Sequence, residues 1–264
     1  MAIKKITPKE ALVVAIKATR LAGDIMNKYS SREYAIKNKA PKDLVTEVDI
    51  KCEQVIKEAI YEVFPDHGVL AEEGGGRNME KLCRWIVDPI DGTTNFAHGF
   101  PMFCSSVAYE EEGQVLAGAI YDPVRDELFT ATLGGGSYLN SRPIVVSSTN
   151  RLAESLLATG FPYTITTEKI NNIREFADMS MEAQAVRRPG AAALDLCYVA
   201  CGRLDGFWEF HLQPWDVAAG VLIVQEAGGA VTDDKRQPIN IYLRKIVASN
   251  NKIHEEMLQV LGRA

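Results

Sequence analysis

Residues 88–94 read Asp88-Pro89-Ile90-Asp91-Gly92-Thr93-Thr94. Trp85, Ile86 and Val87 just before them predict a buried strand, which places Asp88 at its C-terminal end. Pro89 fixes a turn and Asp91 follows. Gly92, Thr93 and Thr94 are small and can expose backbone N–H groups, and residues 95–97 begin a helical turn. The spacing therefore predicts two carboxylates held close on a sharp turn, beside donors suited to a phosphate. Oxygen ligands of this kind favour hard cations such as Mg²⁺. Taken alone, the stretch reads equally well as a strand-to-helix connection with a capping Asp.

Three other segments shift the balance. Residues 43–49 carry Asp43, Glu47 and Asp49 at the entry to a predicted helix. Glu72-Glu73 precede the flexible-looking run Gly74-Gly75-Gly76. Asp216 follows Pro214-Trp215 and leads an almost wholly apolar helix. Asp49 and Asp216 each have a simple reading as the N-cap of their own helix. Such readings explain each segment separately but not one chemical theme repeated at four element ends.

Apolar spacing predicts helices over 8–28, with Ala11, Leu12, Ala15, Ile16, Leu21 and Ile25 inward, and over 49–64, with Ile50, Val55, Ile56, Ala59 and Ile60 inward. Further helices are expected at 167–182, 191–202, 216–227 and 253–261. Strands are expected at 68–70, 84–87, 103–110, 115–121, 127–132, 155–159, 205–209, 230–232 and 246–248. The Lys-rich segment 30–42 reads as a mobile connection. Mixed helices and hairpin-spaced strands suggest layered α and β elements in two subdomains, 1–145 and 146–264.

The chain has 264 residues and a formal net charge of −6. Such a balance gives no reason to expect a nucleic-acid partner, and a phosphate substrate would need cations on the clustered carboxylates to invert the local charge. The five Cys show no disulfide or zinc spacing, and Cys197 and Cys201 read as small buried residues of one helix face. The N-terminus lacks the apolar core of a signal peptide, and the most apolar stretch, 217–224, is too short to span a membrane. A cytoplasmic enzyme is expected.

These segments resemble the inositol monophosphatase family, within the wider superfamily of lithium-sensitive, magnesium-dependent sugar phosphatases. Residues 88–96 match the family's first signature residue for residue. Trp215-Asp216-Val217-Ala218-Ala219-Gly220, continuing to Glu226-Ala227-Gly228-Gly229, matches the second. Residues 43–49 and the Glu72-Glu73 pair also lie where the family has them, so the likeness covers nearly the whole chain. It implies an α+β fold, a layered αβαβα sandwich of two subdomains, and a homodimer.

Carried over residue by residue, the resemblance implies that Glu72, Asp88 and the carbonyl of Ile90 hold a first Mg²⁺. Asp88, Asp91 and Asp216 would hold a second, and Glu72 would share a third through water. Asp49 and Thr93 would orient the attacking water, so Asp49, Glu72 and Thr93 form the catalytic set. Gly92 and Thr93 would give N–H groups to the phosphate. Gly190, Ala191 and Ala192 resemble the substrate-contacting turn, although a Thr common there is Ala191 here. Glu209 matches an acid that bonds a substrate hydroxyl, and Asp216 would border the substrate too. The first 145 residues would carry most metal ligands, and the rest Asp216 and the substrate contacts.

The expected reaction is hydrolysis of a small phosphate monoester, foremost inositol 1-phosphate, by direct attack of metal-activated water. No covalent-nucleophile motif is evident, and the resemblance implies no phosphoenzyme. The runner-up is a fructose bisphosphatase or a dual-activity enzyme, with Arg187, Arg188 or the Lys-rich loop holding a second phosphate. Lys37, Lys39 and Lys42 could edge a basic lid, though a solvated loop is the simpler reading. His98 reads as structural or peripheral; Trp85 and Trp215 read as packing residues beside the ligand segments. From another class, bacterial relatives point to a non-catalytic regulatory partner in RNA or transcription complexes, but nothing basic here argues for direct RNA contact, and no membrane is expected.

Overall fold

Helix α1 (Pro8–Tyr29) starts where its sequence dictates. Thr7 Oγ1 accepts the Glu10 N–H at 3.2 Å, and Glu10 accepts the Thr7 N–H at 2.8 Å. Two orphan donors are thus satisfied reciprocally, with Pro8 in the first turn. The computed structural model describes residues 6–30, 34–40 and 43–263. Next comes a hairpin, β1 (Ile36–Ala40) with β2 (Asp43–Thr46), where a mobile connection was expected. Lys42 lies outside the described residues.

Helix α2 (Glu47–Val63) starts two residues earlier than expected. Its N-cap is Thr46, and Asp49 sits at the third helical position. Its inward face is Val48, Cys52, Ile56, Ala59 and Ile60, while Ile50 points to solvent, as does Leu21 of α1. Ile50 lies about 200° round the helix from Val48, at about 100° per residue. Strands β3 (Gly68–Ala71), β4 (Gly75–Arg77) and β5 (Cys83–Asp91) follow, then the short helix α3 (Thr93–Ala97). Strands β6 (Cys104–Glu111), β7 (Gln114–Asp122), β8 (Glu127–Thr132), β9 (Gly136–Leu139) and β10 (Arg142–Pro143) complete an eight-stranded sheet in the order β10-β9-β8-β7-β6-β5-β3-β4.

The later elements are β11 (Leu156–Thr159), α4 (Ile173–Glu182), β12 (Ala185–Arg187), α5 (Ala192–Ala200), β13 (Gly206–Phe210), α6 (Pro214–Glu226), β14 (Ala230–Thr232), β15 (Lys245–Ser249) and α7 (His254–Leu261). Their strands form a second sheet ordered β12-β11-β13-β15-β14. Helix α4 does not begin at 167. Asn172 is held left-handed at φ 68°, with its amide donating to Gly160 O at 2.6 Å and Thr159 Oγ1 at 2.8 Å. Its Oδ1 accepts from Trp208 Nε1 at 2.7 Å. This buried clamp keeps residue 172 out of the helix.

The layers follow from the apolar faces. α1 and α2 cover one face of the large sheet around Trp85, Val107, Tyr109 and Ala119. α5 and α6 fill the space between the two sheets. α4 and α7 cover the far face of the small sheet around Trp208 and Val247. The result is αβαβα. Helix α6 is apolar on every side because it is sandwiched, and each fully buried aliphatic side chain there stabilises by about 1.5–3 kcal/mol. Among the described residues, no helix is long and apolar enough to cross a membrane.

Candidate active site

The pairing of β5 with β6 explains how Asp88 and Asp91 come together. Asp88 pairs with Ser106 and Asp91 with Cys104, so three steps on one strand match two on its neighbour. In a regular strand, residues three apart face opposite sides. The extra residue is a bulge that turns both acids toward one face. Pro89, which cannot donate to the ladder, lies within the bulge. The strand therefore runs on to Asp91 instead of ending at Asp88. The turn comes at Gly92, whose φ is +90° and whose Cα faces Met102 O so closely that a Cβ would lie 2.8 Å from it.

Three of the acids, Asp216, Asp91 and Glu72, have an oxygen tethered by a hydrogen bond or ion pair. Asp216, the third residue of α6, accepts the Gln213 N–H on Oδ2 at 2.7 Å. It and Asp49 act from inside their helices, not as N-caps, because Gln213 and Thr46 hold those places. Asp91 Oδ2 accepts the Ala193 N–H at 2.7 Å. Ala191, the N-cap of α5, has no side-chain acceptor, so Asp91 from the other sheet supplies one. Glu72 Oε1 takes Lys39 Nζ at 2.8 Å, and Glu73 takes the same ammonium at 2.5 Å. Lys39 is thus an ion-pair partner of the site, its side chain 25% exposed, while Lys37 and His98 are exposed. Asp88 Oδ1 is buried with no hydrogen-bond partner.

Asp49 is fully buried and both its oxygens are engaged. Oδ2 accepts from Thr46 N at 2.8 Å and Thr46 Oγ1 at 2.5 Å, and Oδ1 lies 2.9 Å from Thr93 Oγ1. Thr93 Oγ1 also lies 2.9 Å from the Ile90 carbonyl. One hydroxyl proton cannot serve both acceptors. When Thr93 donates to Asp49, the Ile90 oxygen is left open to another partner.

Burial is the first cause of the raised carboxyls here, and mutual repulsion the second. Asp88 lies well above the usual carboxylate range through burial, then through Glu72, Asp91 and Asp216. Asp91 is pushed up to about 7 by burial, against the Ala193 N–H. Asp216 is raised well above its ordinary value by burial and then Asp91. Glu72 is raised by burial, opposed by Lys39. Uncompensated buried carboxylates are costly, and a cation is the natural remedy. Among the described residues, no three His, Cys, Asp or Glu side chains are gathered in a ready-made metal-binding group. The donor chemistry nevertheless fits a hard divalent cation: carboxylate oxygens, an available carbonyl, and the orphaned Asp88 Oδ1.

Beside this cluster lies a second polar group. Glu209 on β13 is pushed up to about 8 by burial and then Asp91, with Arg188 opposing. Its carboxylate rests against Gly160, where a Cβ would collide with both oxygens. Asp195 on α5 is buried, with Oδ1 unpartnered, and is raised by burial and then Glu209. Asn95 draws the expected substrate turn toward α3: its amide donates to Met102 O at 2.7 Å, Pro189 O at 2.9 Å and Gly190 O at 3.2 Å. Gly190 thus lies against α3, Ala191 caps α5 and Ala192 opens it. Trp85 is a buried packing residue whose Nε1 donates to His67 at 3.2 Å.

Sequence reasoning missed Asn95, Asp195, the role of Ala193 N–H, Cys104, whose thiol donates to Asp91 Oδ2 at 3.8 Å, and Glu53, whose Oε2 accepts the Glu73 and Gly74 N–H groups. The spacing Asp49 to Glu53, four apart on one helix, was the available signal for Glu53. Asn95, Asp195 and the Ala193 N–H act across about a hundred residues or between layers, which local patterns do not encode.

Comparison with known proteins agrees with this architecture. The model of the inositol monophosphatase family matches residues 7–263. An inositol-1-monophosphatase of Synechocystis sp. is 47% identical over 222 residues, covering 83% of this chain and 77% of the relative. A protein of Pseudomonas aeruginosa named Nus factor SuhB is 42% identical over 261 residues, covering 95% of each. The solved inositol monophosphatase of Anabaena superposes with a TM-score of 0.90 at 42% identity, covering 97% of this chain and 96% of that one.

Proposed function

The chain belongs to the inositol monophosphatase family, and from that premise we propose that it hydrolyses inositol 1-phosphate, or a closely similar polyol phosphate, with Mg²⁺. The observation that carries this reading is Asp88 Oδ1, buried without a partner, its carboxyl raised by burial and then by Glu72, Asp91 and Asp216. Those four acids and the Ile90 carbonyl would hold two or three cations. Bound there, divalent cations supply charge neutralisation at the phosphoryl oxygens, acidification of water and stabilisation of the leaving alkoxide.

The chain's own groups do the positioning. Thr93 Oγ1 donates to Asp49 Oδ1 and keeps its lone pairs for the attacking water, fixing the line of approach. Asp49 is available to take a proton through Thr93, since burial raises its carboxyl. Gly92 and Thr93 offer N–H groups to the phosphate, because the first turn of α3 leaves such donors without helical acceptors. Glu209, in the polar group beside the acids, accepts from a polyol hydroxyl, and the Gly190–Ala192 turn closes round the ring.

A cytoplasmic homodimer inhibited by lithium belongs to the same reading, as does a division near residue 145. The test is phosphate release from inositol 1-phosphate, fructose 1,6-bisphosphate, a nucleotide bisphosphate and histidinol phosphate, with Mg²⁺, with lithium and with chelator. Turnover of inositol 1-phosphate that is lost in chelator is expected; no turnover of any of them defeats the proposal. Preference for the fructose bisphosphate would favour the runner-up.

A second reading is a regulatory role in transcription complexes, supported by similarity to the protein named Nus factor SuhB. Pull-down with wild type and Asp88→Asn separates the two. A transcription partner held equally by both supports the second role, and loss of all partners removes it.

A further inference from the structure

We propose that Glu53 is a positioning residue that sets the place of Glu72. The proposal rests on the reading of Glu72 as a cation ligand. Glu72, Glu73 and Gly74 form the turn between paired residues Ala71 and Gly75 of β3 and β4. The acceptors of all three N–H groups can be traced. Glu72 N donates to Val87 O of β5 at 3.3 Å. Glu73 N and Gly74 N both donate to Glu53 Oε2, at 2.8 and 3.1 Å. The turn is therefore pinned at its entry by the strand that carries Asp88, and at its exit by α2. A glycine-rich run that looks flexible in sequence becomes a fixed mount.

Glu53 is itself held. It is 5% exposed, and its Oε1 takes Lys57 Nζ at 2.7 Å, one helical turn on. That ion pair fixes the carboxylate and compensates its charge, so the turn meets an oriented acceptor. Gly74 makes the contact possible, since a Cβ there would collide with Glu53 Oε1 and Lys57 Nζ. Asp49 and Glu53 share a face of α2. The helix thus carries two devices of the site side by side: Asp49 for Thr93, and Glu53 for the turn that presents Glu72. Glu53 does not touch the reacting atoms; it acts through two backbone N–H groups.

The test is calorimetric titration of Mn²⁺ and Mg²⁺ into wild type, Glu53→Ala, Glu53→Gln and Gly74→Ala, with melting temperatures taken in chelator. Ile56→Val is the control, a buried apolar change on the same helix that removes no hydrogen-bonding group. Loss of a group that orients a ligand typically weakens metal affinity about 10–100-fold. Glu53→Ala and Gly74→Ala are expected to weaken cation binding by about tenfold or more. Glu53→Gln keeps one acceptor oxygen and should fall between them and wild type. Ile56→Val should lower the melting temperature with affinity unchanged. If Glu53→Ala does not fold, Glu53→Gln and Gly74→Ala decide. Variants that bind cations as tightly as wild type, whatever their melting temperatures, overturn the inference alone. A wild type that takes up no cation overturns the proposed function and this inference with it.

Discussion

Replacing Thr93 by Val removes one hydroxyl and little else, since the β-branched shape is kept. The hydroxyl is 2.9 Å from Asp49 Oδ1 and 2.9 Å from Ile90 O. Asp49 would retain its two bonds from Thr46 and lose its third. A hydrogen bond to a charged group contributes about 1.5–3 kcal/mol. The expected stability loss is thus about 2 kcal/mol, or roughly 4–8 °C in Tm at this chain length. The rate should suffer more, because the water loses its acceptor as well as its route to Asp49. Positioned acid–base groups contribute about 10²–10⁴-fold, so kcat at saturating Mg²⁺ should fall by that factor, or about 3–5 kcal/mol in the barrier. Thr93→Ser keeps the oxygen and should recover most of the rate. The assay is phosphate release alongside thermal denaturation. A Thr93→Val enzyme with lowered Tm but kcat within about threefold of wild type would refute the reasoning, leaving the hydroxyl as a structural clip.

Four further outcomes are expected. Asp88→Asn removes a buried charge that burial, Glu72, Asp91 and Asp216 all disfavour; at neutral pH it should raise the Tm of the chelated protein and abolish the Tm rise on adding Mg²⁺, checked by differential scanning fluorimetry. Glu209 is a raised acid, at about 8, so the folded state holds its proton longer than the unfolded state. Its contribution is fully present below about pH 4.3 and is lost as pH rises toward 8; urea denaturation in chelator between those limits should show a weaker decline for Glu209→Gln. Gly160→Ala should displace the Glu209 carboxylate and raise KM for the polyol phosphate more than it lowers kcat, and equal loss on every substrate would remove Glu209 as a selector. Gly92→Ala forces a side chain into φ +90° and against Met102 O, so it should cost more than about 1 kcal/mol in denaturant unfolding together with activity.

Local order was the legible part of the fold. The apolar spacing over 8–28 marked α1, and the strand over 127–132 was found with its limits intact. The failures have physical causes. Residues 167–172 were expected to open α4, yet Asn172 is captured by Gly160, Thr159 and Trp208, 12, 13 and 36 residues away. Residues 36–40 are all exposed and carry a polar run, Lys37-Asn38-Lys39, between Ile36 and Ala40, so their hairpin with β2 left no buried face to read. At the site, the acids were legible because the resemblance rests on long, ordered motifs. Their tethers were not, since Asp91 finds Ala193 across 102 residues. The turn inferred at Pro89 is a bulge, and a bulge is defined by the neighbouring strand.

The bond from Asp91 to Ala193 joins an acid of the eight-stranded sheet to the helical layer beneath the other sheet. A single carboxylate thereby works as a rivet between the early and late halves of the chain. Linkage is reciprocal: whatever engages the Asp91 carboxylate also acts on how firmly α5 is seated. Occupancy of the acids should therefore slow hydrogen exchange in residues 192–200, far along the chain from β5. Looseness in that helix should in turn weaken what the acids hold, so the wall between the two sheets serves as part of the site's grip.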